Sequence, residues 1–345
     1  MEPLKVLQYG VGPIGASIVK VLCARPQVQI VGAVDVDPAK AGKDLGDVAG
    51  TQKLDIRISE NAKTALGHTK PDVVVHCTGS YLKGVAAQIL ECIDAGACVV
   101  STTEELAYPF EKYPELAQEI DSKARAKGVA VLGTGVNPGF VMDTLVLVLS
   151  GVCQRINAIH AERVVDAGRR RLPLQKKVGA GLSVEEFNRG VAEGRIRHVG
   201  LPESVSLIAS TVGWRLGEIQ ERITPVIAED PVQTDYMKVD KGQVAGVRQV
   251  AKGLLAGQEV IVFDLRMYLG AKDQHDSVLI DGIPPIDMII KGGIQGDQAT
   301  AGIVANAVNT ITRAPPGLRL MTELPPIAPK MGTAMERGPT TLREF

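Results

Sequence analysis

Two adjacent carboxylates, Glu104 and Glu105, follow an apolar run in "VVSTTEELAYP" (99–109). A carboxylate at the end of a buried strand can act as a general base or stabilise a cation. Consecutive side chains diverge, so one acid faces a site and the other faces solvent or a local partner. A second group with chemical potential is "GTGVNPG" (133–139), where Pro138 and Gly139 impose a sharp turn beside Asn137. The Asn137 amide either bonds a ligand or satisfies its own turn. A third is Gly10-Val11-Gly12-Pro13-Ile14-Gly15, a G-x-G-x-x-G spacing. In such a turn Gly10 permits the tight bend and Gly12 lets backbone approach a pyrophosphate. Gly15 lets helix and strand pack closely, and the helix N-terminus faces the phosphate charge. Asp35 lies twenty residues after Gly15, where a carboxylate bonds the adenine ribose hydroxyls. Asp35 favours NAD, because it repels a 2′-phosphate. Asp37 could share that role. Lys40 and Lys43 just downstream leave NADP use open, although a solvated helix face is the favoured reading of the two lysines.

The elements that must position these residues alternate in the first half. Short apolar runs at 4–10, 28–37, 71–79, 98–102 and 129–139 read as buried parallel strands. Between them, Ile14, Ile18, Val19 and Leu22 recur at helical spacing, and further helices read at 84–96 and 114–128. Alternation of this kind requires right-handed crossovers and a doubly wound sheet. Ligands bind beyond the carboxyl ends of such strands. Those ends carry "CTGS", with Thr78 and Gly79, "STTEE", with Thr102 and Thr103, and "GTGVNPG", with Asn137. These residues are expected to contact the cofactor riboses and nicotinamide.

The second half changes character. An apolar helix is expected at 140–153, then strands at 155–168, either side of "AGQ" within 247–271, and within 276–293. Helices are expected at 183–196, with Ser183 and Glu186 as a capping box, and at 203–214. The reading is an α/β chain: a Rossmann dinucleotide-binding domain over 1–139, completed by a C-terminal helix at 297–315. An α+β domain with a mostly antiparallel sheet occupies 140–296, and 316–345 is an extended, proline-rich tail. Ala299, Ile303, Val304, Ala307 and Ile311 mark the expected buried face of the last helix.

Bulk properties narrow the function. The chain has 345 residues, net charge −1 and 3% aromatic residues. Near-neutral charge and few aromatics argue against nucleic acid and anionic membranes. No apolar run reaches the ~18–20 residues of a membrane span, and the N-terminus lacks a signal pattern. A cytoplasmic protein is expected. Five cysteines at irregular spacing read as free thiols, four of them within cores. No histidine pair has metal-ligand spacing, so no metal is expected. His198 and His275 read as the more exposed histidines, and His76 and His160 as core residues.

The strings "DLGDVAG", "STTEELAYP", "NPGFVMDTL", "ERVVDAGRRRLPLQKKVGAGLSVEEF", "VGLPESVSLIA" and "ATAGIVANAVN" carry a resemblance over nearly the whole chain. The fold pattern resembles the dihydrodipicolinate reductase-like group. The strings look closer to its 2,4-diaminopentanoate dehydrogenases and related native amine dehydrogenases. The histidine-rich catalytic segment and Pro-Ser-Gly-Thr turn of dihydrodipicolinate reductases are absent; "VVDAGRRRLPLQKK" stands there instead. Reduction of a dicarboxylate ring is therefore disfavoured.

The resemblance implies NAD(P)-dependent interconversion of an amine with a ketone plus ammonia, in a homodimer joined through the second-domain sheet. It assigns the base to Glu104, with Glu105 as runner-up, and substrate contact to Asn137. It also implies an arginine anchor for a substrate carboxylate, Arg163, unless that residue pairs with Glu162 or Asp166. The basic cluster of "GRRRL" (168–172) with Lys176 and Lys177 could attract the same carboxylate or form a solvated face. Phe140 and Tyr268 are candidate pocket walls. Two other readings stay open: a carbonyl or imine reductase that uses no ammonia, and a non-catalytic dinucleotide sensor.

Overall fold

The computed structural model describes residues 2–170 and 172–330. Arg171 and the tail beyond 330 lie outside the described residues.

The first half runs β1 (Leu4–Tyr9), α1 (Pro13–Cys23), β2 (Val28–Val34), α2 (Leu45–Ala49), β3 (Ile58–Ser59), α3 (Ala62–Thr69), β4 (Val73–His76), α4 (Leu82–Asp94), β5 (Cys98–Ser101), α5 (Pro114–Lys127) and β6 (Ala130–Gly133). A single 3-10 turn, Glu104–Ala107, follows β5. The second half runs α6 (Thr144–Ser150), β7 (Arg155–Asp166), α7 (Leu172–Lys177), α8 (Val184–Ala192), α9 (Leu201–Val212) and β8 (Glu218–Ile227). A short hairpin of β9 (Val232–Gln233) and β10 (Lys238–Val239) leads to β11 (Val244–Leu255), β12 (Gln258–Tyr268), β13 (His275–Ile283), β14 (Ile286–Lys291), α10 (Gly296–Ile311) and β15 (Gly317–Arg319).

Seven strands form one parallel sheet in the order β15-β6-β5-β4-β1-β2-β3. Its central strands are mostly apolar because helices cover both faces. Val6, Val73, Val75 and Leu132 pack on one face with Ile18 and Leu22 of α1 and Val304 and Val308 of α10. Leu7, Val74, Val99 and Val131 pack on the other with α4 and α5. Strand order reverses between β1 and β4, so their carboxyl ends diverge and leave a crevice.

The second sheet has the order β14-β13-β7-β12-β11-β8. All its pairings are antiparallel except β7 with β12. One face is buried by α6, α8 and α9 around Phe187, Phe263 and Leu265. The sequence pattern misses β8, an edge strand whose Pro225 argues against a sheet interior. It also misses β15, only three residues long, which aligns Gly317–Arg319 with Ala130–Leu132.

Other expectations are corrected. α6 starts at Thr144 rather than 140, because 139–143 form a turn tied by Asp143. That buried carboxylate accepts from Gly139 N–H at 2.7 Å, Thr144 N–H at 2.5 Å and Ser204 Oγ at 2.7 Å. The buried face of α10 runs through Ala301, Val304, Ala305, Val308 and Ile311, with Ala299 and Ile303 only partly covered. His160 is exposed, because alternation on β7 turns it away from the core that holds Ile159 and Ala161. Cys23 is also exposed, Cys92 is buried, and all five cysteines are free. Among the described residues no helix is long and apolar enough to cross a membrane.

Candidate functional site

A cleft of about 370 Å³ opens beyond the carboxyl ends of β1, β4, β5 and β6. Its floor is the β1–α1 turn, with Gly12, Pro13, Ile14 and Gly15 in its lining. Gly10 underlies that lining at φ +89°, and a Cβ there would lie 2.5 Å from the Cys77 carbonyl oxygen. A Cβ on Gly15 would lie 2.1 Å from the Gly10 carbonyl oxygen. Gly12 differs: no heavy atom lies within 4 Å of the position its Cβ would take. It caps α1, whose first turn has no side-chain cap and no acidic residue. Open N–H donors and open space above Gly12 fit a dinucleotide pyrophosphate.

Asp35 closes β2 outside the cleft lining. Its Oδ2 accepts from Val11 N–H at 2.8 Å, its Oδ1 from Asp37 N–H at 2.9 Å, and Lys40 Nζ lies 3.1 Å from Oδ2. Burial opposes ionisation here, but the two backbone donors and Lys40 outweigh it and hold the carboxyl below its ordinary range. Lys40 also pairs with Asp37 at 3.2 Å. Both acids therefore restrain the lysine that could have met a 2′-phosphate, and Lys43 is exposed in the bend before α2.

The spacing of these glycines separates two roles by mutation. Gly15→Ala is expected to cost about 1–3 kcal/mol through forced backbone movement, read by urea unfolding. Gly12→Ala is expected to keep wild-type stability and weaken NADH binding, read by NADH fluorescence. A Gly12→Ala protein with unchanged NADH affinity would remove this turn from the binding site.

Thr78, Gly79 and Thr102 line the cleft. Thr103 does not: its side chain is buried, and Thr103 Oγ1 accepts from Ser101 Oγ at 2.9 Å. Behind this lip lies His76, a fully buried core residue. Its Nδ1 is 2.9 Å from Ser101 Oγ, and its Nε2 is 2.9 Å from both Gln88 Oε1 and Thr78 Oγ1. Burial pushes its pKa down to about 4, so the network is neutral.

The glutamate pair divides. Glu104 opens the 3-10 turn after β5 and lines the cleft. Burial raises its carboxyl above the ordinary range, against the pull of its own N–H, the Lys177 charge and the Ser80 hydroxyl. Glu105 turns inward and is fully buried. Its Oε2 accepts the Leu82 N–H at 2.7 Å, and Lys112 Nζ lies 2.5 Å from its Oε1. α4 has no side-chain cap of its own, so Glu105 supplies the anion at that helix N-terminus. Its partners are local and structural.

Across the cleft, Asn137 is buried; its Nδ2 contacts only Met142 sulfur, at 3.5 Å, and its Oδ1 has no hydrogen-bond partner. Arg163 reaches the cleft wall from β7, but its partner is Asp276 on β13, not Glu162 or Asp166. The Nη1–Oδ1 distance is 2.6 Å, and Nη2 donates to the Ile294 carbonyl at 2.6 Å.

Two expected walls fall away. Phe140 packs into the second-domain core and is not among the cleft lining. Leu265 and Met267 of β12 line the cleft, so alternation places Tyr268 on the other face of the sheet. Leu174 and Thr300, not singled out in the sequence, line the cleft, with His198 and with Arg170 and Lys177 of the basic cluster. His198 is one of the two histidines expected to be exposed. It is instead partly buried, and its main chain exchanges hydrogen bonds with the Gln249 amide at 2.8 and 2.7 Å. Burial and the Lys177, Arg163 and Arg197 charges push its pKa down to about 3. Only the tertiary fold brings α7 and the 196–200 segment to this wall.

A glycine turn at the switch point of a parallel sheet, with a carboxylate facing the same cleft, defines a nicotinamide dinucleotide-dependent oxidoreductase. Two family models match the chain: dihydrodipicolinate reductase, N-terminus, over residues 4–122, and 2,4-diaminopentanoate dehydrogenase C-terminal domain over residues 140–338. The chain belongs to the 2,4-diaminopentanoate dehydrogenase family. It is 33% identical over 337 residues to 2,4-diaminopentanoate dehydrogenase of Acetoanaerobium sticklandii, covering 94% of each chain. It is 24% identical to an amine dehydrogenase of Streptomyces virginiae, covering 95% of this chain and 98% of that one. The fold matches the amine dehydrogenase structure from Mycobacterium smegmatis with a TM-score of 0.84, at 24% identity, over 95% of this chain and 97% of that one.

Proposed function

We propose that the protein interconverts a primary amine with a ketone and ammonia, that NAD is its preferred dinucleotide, and that Glu104 is the base. The observation that carries this reading is the Glu104 carboxylate, held up by burial, in the same cleft as the Gly12–Gly15 turn. The dinucleotide, when bound, supplies the hydride acceptor for oxidation and the donor for reduction. An ammonium has no lone pair to expel a hydride, so it must first lose a proton, and Glu104 takes it. The resulting carboxylic acid returns that proton to solvent, and the carboxylate then faces the cationic iminium. In reverse, Glu104 accepts a proton as ammonia adds to the carbonyl carbon and gives one to the hydroxyl that leaves as water. The unpartnered Asn137 Oδ1 accepts an N–H of the substrate nitrogen and orients it. Asp35, charged and fixed by two backbone donors, receives the ribose hydroxyls and disfavours a 2′-phosphate.

In this reading residues 1–139 with the 297–315 helix hold the dinucleotide, and 140–296 hold the substrate and join two copies through the open sheet face. The compartment is the cytoplasm. NADH oxidation by a panel of ketones, with and without high ammonium, tests the reaction. Ammonium-dependent turnover, with NADH preferred to NADPH, is the expected result. Equal turnover without ammonium would replace the reading by a carbonyl reductase. NADH binding without any turnover would replace it by a sensor.

A further inference from the structure

His76 ends β4 on the sheet face that carries the apolar Leu7, Val74 and Val99, and it is fully buried there. A polar ring in such a place is costly unless both nitrogens find partners. Both do. Nδ1 meets Ser101 Oγ, its register neighbour on β5, and Nε2 meets Gln88 Oε1 of α4 and Thr78 Oγ1. The ring stands edge-on to Tyr9 of β1, with centroids 5.5 Å apart, which fixes its plane.

The two arms of this ring end at different parts of the cleft. Thr78 abuts the glycine turn: its Cγ2 lies 3.0 Å from the position a Gly10 Cβ would take. Its hydroxyl donates to Gln88 Oε1 at 2.5 Å. On the other arm, Ser101 Oγ accepts the Thr103 N–H at 3.1 Å. Thr103 precedes the 3-10 turn that begins with Glu104, and that turn has no side-chain cap. Backbone bonds already join the two lips, from Thr102 N–H to the His76 carbonyl at 3.0 Å and from Glu105 N–H to the Ser80 carbonyl at 3.2 Å. They leave two things unfixed: the direction of the Thr78 hydroxyl, and the seat of Thr103 on Ser101. One imidazole settles both. Held neutral by burial, it keeps one donor and one acceptor.

We propose that His76 is a positioning residue that joins the dinucleotide lip to the catalytic turn: through Nε2 it aims the Thr78 hydroxyl at the bound dinucleotide, and through Nδ1 it seats the turn that presents Glu104. It touches neither substrate nor dinucleotide. This rests on the amine dehydrogenase reading for what Glu104 does. One rigid ring then sets both the hydroxyl that meets the dinucleotide and the carboxylate that meets the amine.

Amide side chains separate the two arms in the full-length enzyme. An asparagine amide falls at the Nδ1 position and a glutamine amide at Nε2. His76→Asn is expected to raise the NADH Kd about 3- to 10-fold, read by NADH fluorescence, and to lower kcat less. His76→Gln is expected to lower kcat by a similar factor and to raise the Kd less. It also moves the acid limb of 2-aminopentane oxidation to lower pH, because a looser turn admits water to Glu104 and relaxes its raised carboxyl toward the ordinary range. Gln88→Met acts from a half-buried site on α4, outside the cleft lining, and leaves the ring in place. It removes the partner of Nε2 and Thr78, so the NADH Kd is expected to rise as in His76→Asn, which carries the test if a histidine variant fails to fold. The same ratio of Kd change to kcat change in His76→Asn and His76→Gln, or an unchanged NADH Kd in Gln88→Met, would overturn the proposal. Ammonium-dependent turnover of 2-pentanone by wild type decides the amine dehydrogenase reading separately. A wild type that aminates 2-pentanone, with variants that shift only the unfolding midpoint, keeps that reading and loses this one.

Discussion

Glu104→Gln is expected to lower turnover by about 10²- to 10⁴-fold, the span assigned to a positioned general base, while NADH affinity remains near wild type. Glutamine keeps the shape and burial of the side chain but cannot take a proton from an ammonium. The pH profile separates this from a merely disturbed pocket. Burial holds the Glu104 carboxyl above its ordinary range. A base works only when ionised, so the rate of amine oxidation falls as pH drops through that raised value and recovers above it. Glu104→Gln removes that limb along with the rate. Full activity in Glu104→Gln would exclude this carboxylate as the base. Glu105→Gln supplies the contrast: it loses a capping anion and an ion pair with Lys112. Its first effect is on unfolding, and the pH limb persists.

Arg163→Met is expected to lower stability by about 3–5 kcal/mol, because it strands the buried Asp276 carboxylate without its cation. Asp276 would keep only the Ile294 N–H, and the β7–β13 pairing that joins the sheet at Arg163 and Asp276 would carry an unpaired charge. Replacing both residues, Arg163→Met with Asp276→Leu, is expected to recover most of the loss, since an apolar pair of similar volume leaves no charge to solvate. Urea unfolding measures all three proteins. An Arg163→Met protein with unchanged stability, and with weakened binding of 4-oxopentanoate alone, would show that Arg163 contacts the substrate carboxylate.

Much of this protein is determined locally and is legible in the chain. The strand–glycine turn–helix run from Leu4 to Cys23 reads directly, because only glycine tolerates φ +89° at Gly10 and the 2.1 Å approach at Gly15. Asp35 reads from its distance to that turn, since a strand of set rise places it there. The parallel sheet reads from apolar runs that must be covered on both faces, and the second domain from paired long strands around "AGQ". Adjacency alone says that Glu104 and Glu105 diverge. Which one turns inward was decided by the α4 N-terminus and Lys112, brought there by the 3-10 turn. Tyr268 is expected at a pocket wall, but the register of β12 against β7 and β11 puts Leu265 and Met267 on that side. Arg163 is 113 residues from Asp276 along the chain. Lys177 and His198 meet only because α7 and the segment before α9 fold over the same sheet face. Backbone conformation depends on nearest neighbours, so sequence determined the turns and strands. The charge balance of the cleft depends on which distant groups neutralise one another, and that was settled only by tertiary packing.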